Sequence, residues 1–182
     1  MNKKITIAGT AAALASLGAV VAYALRKQMP EKAQPIENFD LERYLGVWYE
    51  VARIDFRFEK NLDNVSAEYT LREDGLIKVV NKGYNFKKQK WQSVEGKAKF
   101  WDDENMAALR VSFFGPFYSG YNVVAIDEHY LYALVAGRNL NYLWILSRNM
   151  KLPDDIKRSY VRIAKAIGYD TSRLVWGIHD KG

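Results

Sequence analysis

The stretch LGVWYEVAR, residues 45–53, decides the fold because it begins the first strand of the domain. Side chains alternate between the two faces of a strand, so Glu50, Ala52 and Ile54 share a face with Trp48. If that face is the inner one, Glu50 is an acid in an apolar interior, where it must be ion-paired, hydrogen-bonded or protonated. The stretch therefore predicts a strand with one inward carboxylate.

Seven further strand-like runs follow, and turn signals such as Asp74-Gly75 separate them. The runs are NVSAEYTL (64–71), LIKVVNKGYN (76–85), KWQSVEGKAKFW (90–101), ENMAALRVSFF (104–114), YNVVAID (121–127), YLYALVAG (130–137) and YLWILSR (142–148). Their spacing is typical of an up-and-down antiparallel meander.

The pattern changes to a helical period after the eighth run. Ile156, Tyr160 and Ile163 lie on one face of a segment that begins at Pro153 and stops at Gly168. One amphipathic helix is therefore predicted, and the run RLVWGI after it predicts a last short strand.

Together these elements predict an all-β fold, namely an eight-stranded antiparallel up-and-down β-barrel with one C-terminal α-helix packed outside and a short closing strand. Closure into a barrel removes exposed strand edges. Eight strands leave an interior wide enough for one small ligand.

Composition excludes several function classes. The net charge is +6, but the first 27 residues hold four of the 27 basic residues and no acid, so the other 23 nearly balance the 21 acidic ones. A nucleic-acid partner is therefore not expected. There is no cysteine and there are only two histidines, His129 and His179. We expect no disulfide, no metal site, no cofactor and no catalytic residue.

Residues 1–27 have the charged start and apolar middle of an export signal. Two interpretations stay open: Ala22-Tyr23-Ala24 suits a cleavage site, whereas Arg26-Lys27 closes the apolar run like a membrane anchor. Either one takes the domain out of the cytoplasm or holds it on a membrane. The segment 28–38 is predicted to be a linker, and 39–182 to be the folded domain.

Three stretches resemble the signatures of the lipocalins. GVWYEVAR resembles the first, YNVVAIDEHY with Asp127 and Tyr130 the second, and LWILSR with Arg148 the third, in the same order. NKGYN and VSFFGPFY are similar to the bacterial branch named Blc, which is related to apolipoprotein D. The resemblance covers about Asn38 to Trp176.

The resemblance implies a barrel that carries lipids, such as fatty acids and lysophospholipids, for maintenance of the cell envelope. Bacterial relatives are usually outer membrane lipoproteins acylated on a cysteine after the signal. This chain has no cysteine, so that anchor is excluded. We expect an extracytoplasmic protein, in the periplasm or attached to a membrane.

The floor of the barrel is predicted from Gly46, Trp48 and Arg148. The guanidinium of Arg148 can stack on the indole of Trp48 and reach carbonyl oxygens of the turn before the first strand. Gly46 then allows close approach of the backbone. A structural role is favoured over ligand contact for this group.

The candidate ligand-binding residues are inferred from alternation along the strands, and each is also compatible with plain core packing. They are Glu50, Ile54, Tyr69, Phe100, Val111, Phe113, Tyr142 and Trp144. A rim that meets lipid, membrane or a second subunit is predicted in FFGPFYSGY (113–121). Phe56, Arg57, Phe58 and Lys60 are expected in the loop after the first strand.

The leading hypothesis is a lipid-binding protein and not an enzyme. Two alternatives remain: a lipid-modifying enzyme that uses the same cavity through Glu50, and a structural envelope protein that self-associates through exposed aromatic residues. A homodimer is compatible with the sequence, and the size of the protein in solution would distinguish self-association from a monomeric carrier.

Overall fold

The computed structural model describes residues 28–54 and 60–181. Its elements, in chain order, are helix α1 (Leu41–Tyr44), strands β1 (Gly46–Ile54), β2 (Leu62–Leu71), β3 (Ile77–Asn85), β4 (Lys90–Phe100), β5 (Ala108–Phe114), β6 (Phe117–Ile126), β7 (Tyr132–Gly137) and β8 (Leu143–Ser147), helix α2 (Asp154–Ile167), a 3₁₀ turn (Thr171–Arg173) and strand β9 (Leu174–Trp176). The predictions for residues 1–27 and for Phe56, Arg57 and Phe58 fall outside the described residues.

The sheet closes into a barrel. Each strand from β2 to β8 pairs antiparallel with the next along the chain, and β1 pairs with both β2 and β8. Strand β9 pairs with Ala52–Ile54, which lie beyond the part of β1 that pairs with β2. The predicted eight-stranded up-and-down barrel with one C-terminal helix and a short closing strand is confirmed.

The barrel has two distinct ends. The connections β3–β4, β5–β6 and β7–β8 lie at one end, where β1 also ends and β2 begins; we call it the open end. The connections β2–β3, β4–β5 and β6–β7 lie at the other, the closed end, together with α1 and the start of β1.

The apolar residues form two cores. The inner core fills the closed half of the barrel around Trp48, Val79 and Val135. The outer core lies between the barrel wall and α2, where Tyr160, Ala164 and Ile167 pack against β1, β7 and β8. The left-handed conformation of Gly168, with φ of 115°, ends the helix, as its sequence predicts.

A register shift in β1 corrects one prediction. The pairing of β1 with β8 slips between Glu50 and Ala52, which is the signature of a β-bulge. The extra residue reverses the alternation, so Ala52 and Ile54 belong to the outer core under α2. The prediction that these two side chains share the inner face with Trp48 was wrong. Arg53, opposite Trp144 of β8, takes the inner face instead.

The segment predicted as a linker packs against the barrel. The amide of Ile36 donates to the carbonyl of Val123, Glu37 forms a β-bridge with Met106, and Ala33 is buried in the outer core. In the described ranges, no helix has the length and apolarity needed to cross a membrane.

Candidate ligand-binding site

One apolar cavity of about 290 Å³ occupies the barrel interior. Leu41 and Tyr44 of α1 close it below, and its upper lining includes Phe114, Phe117 and Arg138 at the open end. The cavity therefore has a covered floor and a mouth formed by the β5–β6 and β7–β8 connections. Its volume is near the lower limit of the roughly 300–1,000 Å³ usual for small-ligand pockets.

Six of the eight candidate ligand-binding residues line this cavity. They are Glu50, Tyr69, Val111, Phe113, Tyr142 and Trp144. The rings of Tyr142 and Trp144 stack with centroids 6.4 Å apart, and the ring of Tyr121 stacks on that of Trp144 at the same centroid distance. One wall is therefore a continuous flat aromatic surface.

The other two candidates do not line the cavity. Ile54 lies under α2 because of the bulge in β1. Phe100 is the last residue of β4, at the closed end, and its ring packs on that of Phe39 with centroids 6.2 Å apart. Phe39 comes from the segment before α1, and its position under the barrel cannot be read from strand alternation. The side chain of Phe100 therefore packs within the floor of the barrel.

A cluster of three tyrosine hydroxyls is the main polar feature of the lower cavity. The hydroxyl of Tyr121 lies 2.6 Å from that of Tyr44 and 2.7 Å from that of Tyr69. Burial is the largest cause that raises the pKa values of Tyr44 and Tyr121 well above the ordinary tyrosine value. Tyr44 and Tyr121 are therefore neutral at physiological pH and supply hydroxyl groups without charge.

Sequence reasoning missed Tyr44 and Tyr121 as lining residues. Tyr121 was identifiable, because it precedes Val123 by two residues on β6 and both face inward. Tyr44 belongs to α1, a four-residue helix whose N-cap Asp40 accepts a hydrogen bond from the amide of Arg43. No strand pattern covers that helix.

A buried ion pair lies in the wall above the tyrosine cluster. Arg53 Nη1 lies 2.8 Å from Glu50 Oε1, and both side chains are almost fully buried. Arg53 Nη2 also donates to the carbonyl oxygen of Leu62 at 3.2 Å. We predicted that an inward Glu50 needs a partner. Arg53, three residues later in the chain, is such a partner, and it faces inward only because of the bulge in β1. His179 of the C-terminal segment contacts the carbonyl oxygen of Glu50 at 2.9 Å.

The floor is built by Trp48 and Arg148. Arg148 Cζ lies 3.9 Å from the centroid of the Trp48 ring. The guanidinium donates hydrogen bonds to five backbone carbonyls, those of Arg43, Tyr44, Leu45, Val47 and Tyr130. The indole nitrogen of Trp48 donates to the carbonyl of Tyr44 at 2.8 Å.

Gly46 is required beside this floor. Its φ is 90°, which L side chains rarely adopt. A Cβ at this position would lie 3.5 Å from Arg148 Nη1, an ordinary contact distance, so the backbone conformation and not a clash requires glycine. The group therefore seals the closed end and fixes the start of β1.

The cavity holds no arrangement typical of a metal centre. Across residues 28–54 and 60–181, no three His, Asp or Glu side chains are placed to hold a metal ion together. A closed barrel with a sealed floor, an aromatic wall and one open mouth defines a protein that encloses a small apolar molecule. A family model described as a lipocalin-like domain matches residues 39–179, and the chain belongs to the lipocalin family.

The similar proteins agree with this assignment. The chain is 52% identical over 147 residues to the outer membrane lipoprotein Blc of Citrobacter freundii, which covers 81% of this chain and 83% of that protein. It is 36% identical over 126 residues to apolipoprotein D of Rattus norvegicus, which covers 65% and 66%. The branch expected from the sequence is confirmed.

The fold is also that of insecticyanin from Manduca sexta, with a TM-score of 0.65, 19% identity, and coverage of 84% of this chain and 87% of that one. Lipocalins bind small hydrophobic ligands and are in general binding and transport proteins.

Proposed function

We infer that the protein binds a lipid with one acyl chain, a fatty acid or a lysophospholipid, and stores or transports it in the cell envelope. The single observation that carries this proposal is the apolar cavity of about 290 Å³ with one open mouth. An acyl chain inserted through the mouth gains about 0.8 kcal/mol for each CH₂ group that it buries. The small volume favours one chain over the two chains of a phospholipid.

Different lining residues suit different parts of the ligand. The aromatic wall of Tyr121, Tyr142 and Trp144 supplies contact area for the chain. Arg138 lines the mouth and is exposed. A cation at this position suits a carboxylate or phosphate head group that stays at the water-facing end of the ligand.

An extracytoplasmic location belongs to the same proposal. The similar protein of Citrobacter freundii is named an outer membrane lipoprotein, and a lipid carrier of the envelope would work in that compartment. The chain itself has no cysteine for acylation, so its attachment, if it is attached, must use other residues.

A lipid-modifying enzyme is the weaker alternative. It would need Glu50 as an acid or base, but Arg53 holds this carboxylate at 2.8 Å inside the wall. That contact favours a structural role for Glu50. An enzyme would lose turnover in Glu50→Gln and keep binding.

The test uses the full chain after removal of bound lipid. We expect it to bind a fluorescent fatty acid with one site per chain, and lysophospholipid to displace the probe. Mass spectrometry of lipid that co-purifies with the protein from its native envelope would identify the natural ligand. Delipidated, folded protein that binds no lipid of any class would refute the proposal.

A further inference from the structure

The charged residues of the hairpin connections segregate by the end of the barrel. Each connection is counted from the last residue of one strand to the first residue of the next. The three fully described connections of the open end are then 85–90, 114–117 and 137–143. They contain four exposed cations and no acid, and the cations are Lys87, Lys88, Lys90 and Arg138. In sequence, the chain between β1 and β2 carries two acids and two cations and so adds no net charge.

The closed end has the opposite charge. Its three connections, 71–77, 100–108 and 126–132, contain seven acids and one arginine. The neighbouring segments 39–45 and 148–153 add two acids and three cations, so the closed end stays acidic. At the open end, the neighbouring segment 168–173 adds one acid and one cation. A nearly neutral body is therefore polarised along the barrel axis. Such a molecule turns its basic end toward an anionic surface before contact.

The basic end also carries exposed aromatic side chains. Phe114 and Phe117, which flank the tip of the β5–β6 hairpin, are 65% and 78% exposed. Phe86 in the β3–β4 connection and Trp91 near the start of β4 are also exposed. Large apolar side chains among lysines are typical of surfaces that enter the interfacial region of a bilayer.

We propose that the open end is a docking surface for an anionic lipid bilayer. Lysines and Arg138 contact lipid phosphates, and the Phe114–Phe117 tip enters the region between head groups and acyl chains. A second copy of the chain fits this surface less well, because two open ends facing each other would bring four cations against four. This inference needs no ligand in the cavity, so it can hold even if the proposed function fails.

Docking in this orientation has a direct consequence for the cavity. Phe114, Phe117 and Arg138 all line its mouth. With the tip inserted, the mouth opens onto the acyl region of the membrane. A single-chain lipid can then pass between bilayer and barrel with little of its chain exposed to water.

The experiment uses the full chain. Because the chain has no cysteine, a single introduced cysteine is labelled alone. Pro116→Cys places one environment-sensitive fluorophore at the hairpin tip, and Glu73→Cys places the same label at the closed end. The probes are vesicles of phosphatidylcholine alone and of phosphatidylcholine with an equimolar amount of phosphatidylglycerol. We expect a blue shift only for the Pro116→Cys label and only with the anionic vesicles.

Variants at exposed positions test the two parts of the surface. Phe114→Ser with Phe117→Ser should abolish the blue shift, and the matched control Leu71→Ser, exposed at the closed end, should keep it. Lys87→Glu, Lys88→Glu and Lys90→Glu should each weaken binding by at least roughly fivefold at low salt. Lys151→Glu at the closed end should not.

The same design separates docking from attachment by other parts of the chain. Vesicle binding with no shift at the hairpin tip, or with equal shifts at both labels, would overturn the proposal. So would a tip shift that appears without vesicles as the protein concentration rises, because it would assign the surface to a second copy.

Discussion

Arg148, directly after the last barrel strand, lies with its guanidinium carbon 3.9 Å from the centre of the Trp48 ring on the first strand. Its nitrogen atoms donate to five backbone carbonyls around that ring. The planar fork of arginine makes this set of bonds, which a lysine ammonium cannot reproduce. The contact therefore fastens the two ends of the barrel sequence to each other.

The first prediction concerns this contact. Arg148→Lys should lower the free energy of unfolding by about 2–4 kcal/mol, since several carbonyls of the floor lose their donor and the stacking is weakened. Urea unfolding followed by tryptophan fluorescence measures the change. Arg72→Lys, at an exposed turn, is the control and should change little. Equal stability of the two variants would show that the floor does not depend on the guanidinium.

The second prediction concerns the tyrosines. Burial raises the pKa values of Tyr44, Tyr121, Tyr160 and Tyr169 above the usual tyrosine value near 10. The folded state then keeps protons that the unfolded state releases, so stability is complete below about pH 10 and falls as the pH rises above it.

Tyrosinate absorbance measured against pH checks this prediction. We expect several of the 12 tyrosines to ionise only when the protein unfolds in alkali. Tyr121→Phe should reduce the number in that late group. A single transition near the usual value, completed by folded protein, would contradict the burial of the cluster.

The third prediction tests the cavity with neighbouring residues on β3. Val79 lines the cavity, and Val80 faces outward between Glu68 and Glu95 of the adjacent strands. Val79→Phe should displace about two CH₂ groups of an acyl chain and weaken binding by at least about tenfold. Val80→Phe adds the same ring outside the barrel and should bind like the parent protein. Equal affinities would place the ligand elsewhere, and circular dichroism checks that both variants fold.

The fourth prediction concerns the ion pair in the wall. Arg53→Met removes the cation that lies 2.8 Å from the buried Glu50 carboxylate, and should lower the free energy of unfolding by about 3–5 kcal/mol. The double variant Glu50→Leu, Arg53→Met should be more stable than Arg53→Met alone. Lys78→Met, which breaks an exposed pair with Glu95, serves as the control. If the second substitution made the single variant worse, the two side chains would not be coupled through charge.

Most of the fold can be predicted from the sequence, because alternation and turn residues indicate most of the strands. Tyr142 and Trp144 illustrate this, since strand β8 is regular and parity alone turns both inward. The position of Ile54 could not be predicted in this way. One bulge in β1 reverses which side chains face inward, and no residue type in the sequence marks the bulge. Arg53 was missed for the same reason.

The polarity of the barrel was also hidden from sequence reasoning. Lys88 and Asp102 are only a short distance apart in the chain, and the mixed signs along the sequence look balanced. An up-and-down topology sends alternate connections to opposite ends, so charges that alternate along the chain become separated in space. Only the pairing of the strands shows this.

The dependence of the first strand on late partners has a consequence for how the molecule is made. Strand β1 is closed by β8, by Arg148 and by β9, all near the C-terminus. Pairings between such distant parts of a chain form slowly. Until Arg148 has left the ribosome, the polypeptide cannot close the barrel, and its unpaired strand edges are prone to association with other nascent chains. The barrel is therefore completed only after its last strands are available, and a chaperone would act mainly before that step.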